Sequence, residues 1–321
     1  GSGETVTIAF GGDASFEGLE GSLQSDPEGL LSAIAPTLGA ADVTVVNLEA
    51  ALGIAGTPEP KGFAFRVPAE ALVALQSAGT DAVSMANNHG MDFGEEGLAE
   101  SLRIKAETGF PILGIGNDED EAYAPWVTEV RGQRIGVIAA NDVFDSSLVA
   151  RWTAGPDQPG LASSKESREA RLVEEVERTR EVVDTLVVYL HYGVEKDTCP
   201  TQRQQELAAA MTAAGADIVV GTHAHRLQGM GYLGDQFVAY GLSNFVFKSP
   251  SDAGRRSGVL TVSATGRRID EYRWDPAVLQ GNVPYPLSGG AAEAERAAMD
   301  ELRGCTDLTA EPTGPGTEGP S

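Results

Sequence analysis

The sequence predicts an α/β fold, and three observations carry the prediction. From residue 5 to residue 225, short β-branched runs alternate with segments of helical periodicity, the signature of repeated β-α units. After His225 the pattern changes to short strands separated by turn residues, as in antiparallel pairing. The residues able to do chemistry stand directly after the apolar runs, at the strand ends where open α/β sheets gather ligands.

The first strand, Thr5 to Phe10, stops at Gly11-Gly12-Asp13, where two glycines allow a tight turn and Asp13 projects from the carboxyl end. Alone, Asp13 also reads as an Asx-type turn residue. Leu30, Leu31, Ile34 and Leu38 recur at helical spacing and predict a helix over 26–38, with Pro27 suited to its first turn. A second strand, Val43 to Val46, leads into Asn47-Leu48-Glu49 and so places a second carboxylate after a buried run.

Residues 53–68 read as a Gly- and Pro-rich loop containing Lys61, Phe63, Phe65 and Arg66, a cationic and aromatic segment suited to facing an anion or to surface salt bridging. A helix over 70–78 and a strand over 81–85 precede Asn87-Asn88-His89. Asp92 with Glu95 three residues on reads as a capping box for the next helix, which runs to Thr108. Residues 126–130 and 134–139 flank Arg131-Gly132-Gln133 as a hairpin, and 141–164 are irregular. A charged amphipathic helix over 164–183 comes before the strand ending in His191, and a helix over 201–214 before the strand ending in Thr222-His223-Ala224-His225. Residues 1–304 read as one domain, and the Pro-, Gly-, Thr- and Glu-rich segment 305–321 as a disordered tail.

The chain has 321 residues and a net charge of -24, a field that opposes nucleic acid and anionic lipid. Its longest apolar runs are strand-sized, too short to span a bilayer. Gly1-Ser2 reads as a remnant of cloning before a trimmed start, so a native signal or anchor is expected to have been removed. Cys199 and Cys305 have no metal-ligand spacing; an even count fits one disulfide, with two free thiols as the alternative.

Only four histidines occur, and all four follow apolar strands. A lone histidine is readily explained by burial against a carbonyl, but four together with carboxylates and an asparagine point to a transition metal such as Mn, Fe or Zn rather than Mg or Ca. No G-x-S-x-G elbow is present, and neither a P-loop nor a dinucleotide fingerprint follows the first strand.

Six motifs in order then carry a resemblance: Gly-Gly-Asp at 11–13, Asn-Leu-Glu at 47–49, Ala-Asn-Asn-His-x-x-Asp-x-Gly at 86–94, His-Tyr-Gly-x-Glu at 191–195, Gly-Thr-His-Ala-His at 221–225 and Tyr-Gly-Leu-Ser-Asn-Phe at 240–245. Over residues 5–285 the chain resembles the CapA family of poly-γ-glutamate capsule proteins, built on the calcineurin-like metallophosphoesterase fold. The resemblance implies a four-layer αββα sandwich. It further implies one or two divalent transition metal ions, with Asp13, Glu49 and His225 around one and Glu49, Asn88, His191 and His223 around the other. His89 becomes the catalytic acid, and Arg66, Glu195 and Asn244 the candidates for substrate binding. One departure stands out: the superfamily's Asp-x-His is here Asp13-Ala14-Ser15.

The function this implies is synthesis or processing of an anionic polyglutamate-type polymer by a metal-dependent hydrolase or transferase. The protein would be secreted or held at the cell surface, in the setting of a membrane-bound capsule synthesis complex. A phosphoesterase acting on a small molecule, a non-enzymatic polymer-binding scaffold and, remotely, an epimerase are the alternatives.

Overall fold

The computed structural model describes residues 1–314. Its framework is two facing sheets. Across the first run Val283–Pro286, Arg268–Gln280, Arg256–Thr265, Val6–Ala14, Val43–Leu48, Ala82–Ser84 and Ile112–Leu113, with Asn244–Val246 paired to the end of Val6–Ala14. Across the second run Met230–Leu233, Gln236–Ala239, Ile218–Thr222, Thr185–His191, Gln133–Asn141 and Trp126–Val130. Every strand that ends in a candidate site residue lies in the parallel part of its sheet, so their carboxyl ends share one edge.

Period-2 alternation decides which face each side chain takes. Val6, Ile8, Phe10, Val43 and Val45 from the first sheet meet Val137, Val187, Tyr189, Ile218 and Val220 from the second in a central core. The alternate residues face outward. Ala9, Val46 and Val83 pack under Leu72, Leu75, Leu98 and Leu102 of the helices Glu70–Ser77 and Gly94–Thr108. Ile138, Leu186, Val188 and Val219 pack under Leu172, Val176, Leu207 and Met211 of the helices Arg168–Arg180 and Gln202–Ala214. Three apolar layers between four layers of secondary structure make the predicted αββα sandwich, and burying each such Leu, Ile or Val contributes about 1.5–3 kcal/mol.

Local chemistry sets the boundaries. Thr201 and Gln204 form a reciprocal capping box at the start of Gln202–Ala214, and Gly215 ends it with φ 117°. The antiparallel character expected after His225 holds for the hairpin Met230–Leu233 with Gln236–Ala239 and for the strands from Arg256 to Pro286. Gln236–Ala239 and Asn244–Val246 also extend the parallel sheets.

Three expectations are corrected. Residues 26–38 do not form one helix: helix Glu20–Ser25 and helix Ala35–Leu38 are joined by turns, because the Asp26 carboxylate accepts from Gly29 N at 3.0 Å and holds the chain in a local turn that competes with the helix. Asp92 does not cap Gly94–Thr108, whose N-cap is Phe93 without a side-chain bond. The segment 305–314, expected to be disordered, is pinned to the fold. Cys305 is disulfide-bonded to Cys199, Leu308 is buried, and Thr309 exchanges backbone hydrogen bonds of 2.9 and 2.8 Å with Tyr232. A covalent anchor and an open strand edge outweigh the polar composition there. The rest of the expected tail, 315–321, lies outside the described residues.

Candidate metal centre

The site begins where the strands stop. His191, Asn47 and Thr222 continue the inward parity of Val187, Val45 and Val220, so at the carboxyl edge polar groups replace the central core. Two glycines bring the segments close enough. A Cβ at Gly12 would lie 2.0 Å from the Ser243 carbonyl oxygen, and one at Gly221 would lie 2.2 Å from both the Tyr192 ring and the Tyr240 carbonyl. Just past Thr222 the chain leaves extended geometry: His223 has φ 94° and His225 φ 51°, values that non-glycine residues adopt at a cost of order 1–3 kcal/mol. The turn aims both imidazoles into the gap between the sheets.

Glu49 is the centre. Its carboxylate is fully buried, and its Oε1 lies 3.4 Å from His191 Nε2, 3.8 Å from His225 Nε2 and 4.0 Å from His89 Nε2. His191 Nε2 lies 3.1 Å from His223 Nδ1 and 2.7 Å from Asn88 Oδ1. On the other side, Asp13 Oδ2 is 3.3 Å from His225 Nδ1. Two donor sets result, Glu49 with His191 and His223, and Asp13 with Glu49 and His225, each with ligand atoms within 4.8 Å of one another.

These residues fit a cation. Neither oxygen of Glu49 has a hydrogen-bond partner among the described residues, although both are buried. A buried unpaired carboxylate costs several kcal/mol unless a positive charge meets it. Two ligands about 2.1 Å from one ion stand roughly 3 to 4 Å apart, the range of the separations around His191 Nε2.

The electrostatics follow from burial and crowding. Burial, then the Asp13 charge, pushes the Glu49 carboxyl up to about 8. Asp13 goes the other way: burial would raise it, but the hydrogen bond and charge of His225, with His191 behind, hold it at about 2. Burial lowers His191 to about 3 and His223 well below its ordinary value, so both rings keep a lone pair at neutral pH. For His225, burial is outweighed by the Glu49 charge and the Asp13 bond, and its value rises to about 9.

The groups that hold these rings were mostly not singled out from the sequence. Thr222 Oγ1 lies 3.0 Å from His191 Nδ1 and donates to the Leu190 carbonyl at 3.5 Å, and Asn47 Nδ2 lies 3.3 Å from the same Nδ1, so these groups hold the ring with Nε2 toward Asn88 and His223. His89 Nδ1 lies 2.5 Å from Asp92 Oδ2, while Lys61 Nζ donates to Asp92 Oδ1 at 2.7 Å and Phe65 N to Oδ2 at 2.7 Å. Asp92 thus orients His89, the role its spacing to Glu95 had obscured. A chain of amides ties the two ends together: Asn47 Nδ2 donates to Asp13 Oδ1 at 2.8 Å, Asn87 Nδ2 to Asn47 Oδ1 at 3.0 Å, and His89 N to Asn87 Oδ1 at 3.0 Å. Asn47 and Asn87 sit inside the motifs already singled out, and their strand-end position was the available signal.

A cleft of about 250 Å³ opens onto this cluster, with Lys61, Phe63, Asn88, His89, Glu195 and His223 in its walls. Glu195 is exposed there. Arg66 is not part of the cleft wall; it donates to the Ile54 carbonyl at 2.7 Å and lies 4.3 Å over the Phe93 ring. Asn244 is buried behind the cluster, with Oδ1 2.7 Å from His225 Nδ1. Among the described residues Ser15 takes no part in the cluster, its hydroxyl accepting a 3.5 Å bond from Glu17 N.

Comparisons with known proteins bear on this arrangement. The chain is 28% identical over 244 residues to capsule biosynthesis protein CapA of Bacillus anthracis, covering 75% of this chain and 56% of that protein. It is 27% identical over 219 residues to PGA biosynthesis protein CapA of Bacillus subtilis (strain 168), covering 68% and 56%. A probable polyglutamine synthesis accessory protein of Mycobacterium tuberculosis is 23% identical over 212 residues, covering 64% of this chain and 56% of that protein. The chain spans just over half the length of these relatives. In fold it is similar to a hypothetical protein from Thermus thermophilus, with a TM-score of 0.54 at 14% identity over 85% of this chain and 100% of that one. It is also similar in fold to a putative 5'-nucleotidase from Staphylococcus aureus in complex with alpha-ketoglutarate, with a TM-score of 0.51 at 15% identity over 92% and 58%. The family described as bacterial capsule synthesis protein PGA_cap matches residues 7–249, and with its motifs lying on the strand ends described above, the chain belongs to that family.

Proposed function

We propose that this chain is the metal-dependent module of a protein that synthesises or processes a polyglutamate-type capsule polymer outside the cytoplasm, as a hydrolase or transferase of the polymer's amide bonds. The observation that carries the reading is Glu49, a fully buried carboxylate without a hydrogen-bond partner among the described residues, on which three imidazole Nε2 atoms converge. The imidazole, carboxylate and amide donors favour Mn, Fe or Zn, and with Glu49 common to both sets they offer places for two ions. Such ions supply Lewis-acid charge neutralisation and water of lowered pKa.

The chain's own residues supply the rest. His89 belongs to neither donor set yet lines the cleft, and Asp92 on Nδ1 keeps Nε2 turned toward the centre, where it can protonate a departing nitrogen. Lys61 keeps Asp92 in place and adds a positive charge at the wall of the cleft, in a chain whose charge of -24 otherwise repels a polyanion. The Cys199–Cys305 disulfide supports an oxidising compartment. No described helix is long and apolar enough to cross a membrane.

The test is chelator-stripped protein, reloaded with Mn, Fe or Zn, incubated with poly-γ-glutamate and read on a gel. Metal-dependent change in polymer length, lost in His89→Ala with its metal retained, is the expected result. Turnover of p-nitrophenyl phosphate with the polymer untouched would replace this reading with a phosphoesterase, and polymer binding indifferent to chelator, without turnover, with a scaffold.

A further inference from the structure

The sequence departure at Ser15 leaves a specific deficit. The first strand delivers Asp13 to the cluster but no imidazole, so the set of Asp13, Glu49 and His225 depends on His225 for its only nitrogen. His225 is also the most exposed histidine of the two donor sets. It lies beyond the end of its strand at φ 51°, and its side chain is 15% exposed where that of His191 is 1% exposed. Something must hold its ring.

Asn244 occupies the place from which that can be done. It pairs directly with Asp13 across the parallel strands, and the residue is 2% exposed. Its amide orientation is fixed independently of the histidine: Nδ2 donates to the Gly254 carbonyl at 2.8 Å, which leaves Oδ1 facing His225 Nδ1 at 2.7 Å. Asp13 Oδ2 is a second acceptor 3.3 Å from the same nitrogen. With two acceptors at Nδ1, a proton stays on Nδ1, and Nε2, which lies 3.8 Å from Glu49 Oε1, is the nitrogen that gives up its proton when a cation binds. The Phe247 ring, 4.7 Å from the imidazole, closes one side.

We infer that Asn244 is a positioning residue of the metal centre. By accepting Nδ1–H it fixes the tautomer and orientation of His225 and commits Nε2 to the cation shared with Asp13 and Glu49. The inference rests on the metal reading above and assigns Asn244 to the cluster rather than to substrate.

The experiment uses chelator-stripped protein titrated with Zn²⁺ or Mn²⁺ by calorimetry, with elemental analysis after dialysis, for wild type, Asn244→Leu, Asn244→Ala and Asn244→Asp, each also in a His225→Ala background. Leu and Ala remove the acceptor, whereas Asp keeps one; circular dichroism of the metal-free proteins reports folding, and Ala provides the reading if Leu does not fold. Loss of such an outer hydrogen bond typically weakens a metal about 10–100-fold. That weakening is expected in Asn244→Leu and Asn244→Ala for the ion that His225→Ala also loses, with Asn244→Asp within a few-fold of wild type and no further effect in the His225→Ala background. Unchanged metal binding in the Leu and Ala variants, or equal additional weakening when His225 is already absent, would overturn the inference while leaving the metal reading intact. Wild-type protein that binds no ion would overturn both.

Discussion

Replacing Asp92 by alanine removes an acceptor from three donors at once. Lys61 Nζ, with only 8% of its side chain exposed, loses its 2.7 Å carboxylate and keeps the neutral Asn88 carbonyl, the Phe65 N–H loses a 2.7 Å bond, and His89 Nδ1 loses the group that fixes its proton. Breaking a buried ion pair from one side costs about 3–5 kcal/mol, because the remaining charge is left in low dielectric. Asp145 stands 3.9 Å from Lys61 Nζ but is 54% exposed, so it recovers little of this. At roughly 2–4 °C per kcal/mol for a chain somewhat smaller than this one, the melting temperature of the metal-free protein should fall by roughly 10 °C. Asp92→Asn keeps the volume and one acceptor and should lose less than half as much. Since neither Asp92 nor His89 belongs to a donor set, Asp92→Asn should still bind metal as wild type does, while a reaction that uses His89 as acid should slow by roughly 100-fold. Thermal and urea melts in chelator, a metal titration and the polymer-turnover assay measure these in turn. A loss below about 1 kcal/mol in Asp92→Ala, or metal weakening in Asp92→Asn as severe as in Asp13→Ala, would refute the reasoning.

Glu49→Gln should have opposite effects on stability and binding. Burial and Asp13 raise the Glu49 carboxyl from 4.5 to about 8, so between those values the folded protein keeps a proton that the unfolded chain has released, and stability falls as pH rises. In chelator, the glutamine variant should therefore melt at higher urea than wild type at about pH 8 and nearly equal to it at about pH 5, yet gain nothing from added metal; a variant less stable at the higher pH would speak against the buried, unpartnered carboxylate. Replacing Cys199 and Cys305 by serine releases a loop with a sequence separation of 106, worth about 4–5 kcal/mol on the chain-entropy model. The thermal midpoint should drop and residues 305–314 become the first site of limited proteolysis; unchanged digestion would show that the Thr309–Tyr232 pairing suffices to hold that segment.

The α/β alternation was legible because β-branched runs alternate with helical segments, the four-layer sandwich was implied by the resemblance that six motifs carry, and the cluster was legible because four histidines and two carboxylates all stand at strand ends. What was not legible depends on geometry between strands. Thr222 and Asn47 matter through register, since pairing Thr222 with His191 and Asn47 with Asp13 sets side chains opposite one another that no local pattern links. Asp92 satisfied a helix-start pattern, but burial beside Lys61 and His89 offered its carboxylate stronger partners than a helix N-terminus does. Arg66 looked like an anion clamp by charge alone; its neighbours Phe93 and Ile54, brought close by the loop, decide where the guanidinium goes. The segment after Cys305 has the composition of a tail, and only its partner across the disulfide and the free edge at Tyr232 give it a structure.

The measurement that bears most directly on the account is the metal content of protein stripped by chelator, reloaded and dialysed, compared with Glu49→Ala, His223→Ala and His225→Ala. Because Glu49 belongs to both donor sets and each histidine to one, wild type should retain two ions per chain, each histidine variant one, and Glu49→Ala none. Wild type without bound metal, or Glu49→Ala with wild-type metal content, would contradict a centre built on Glu49.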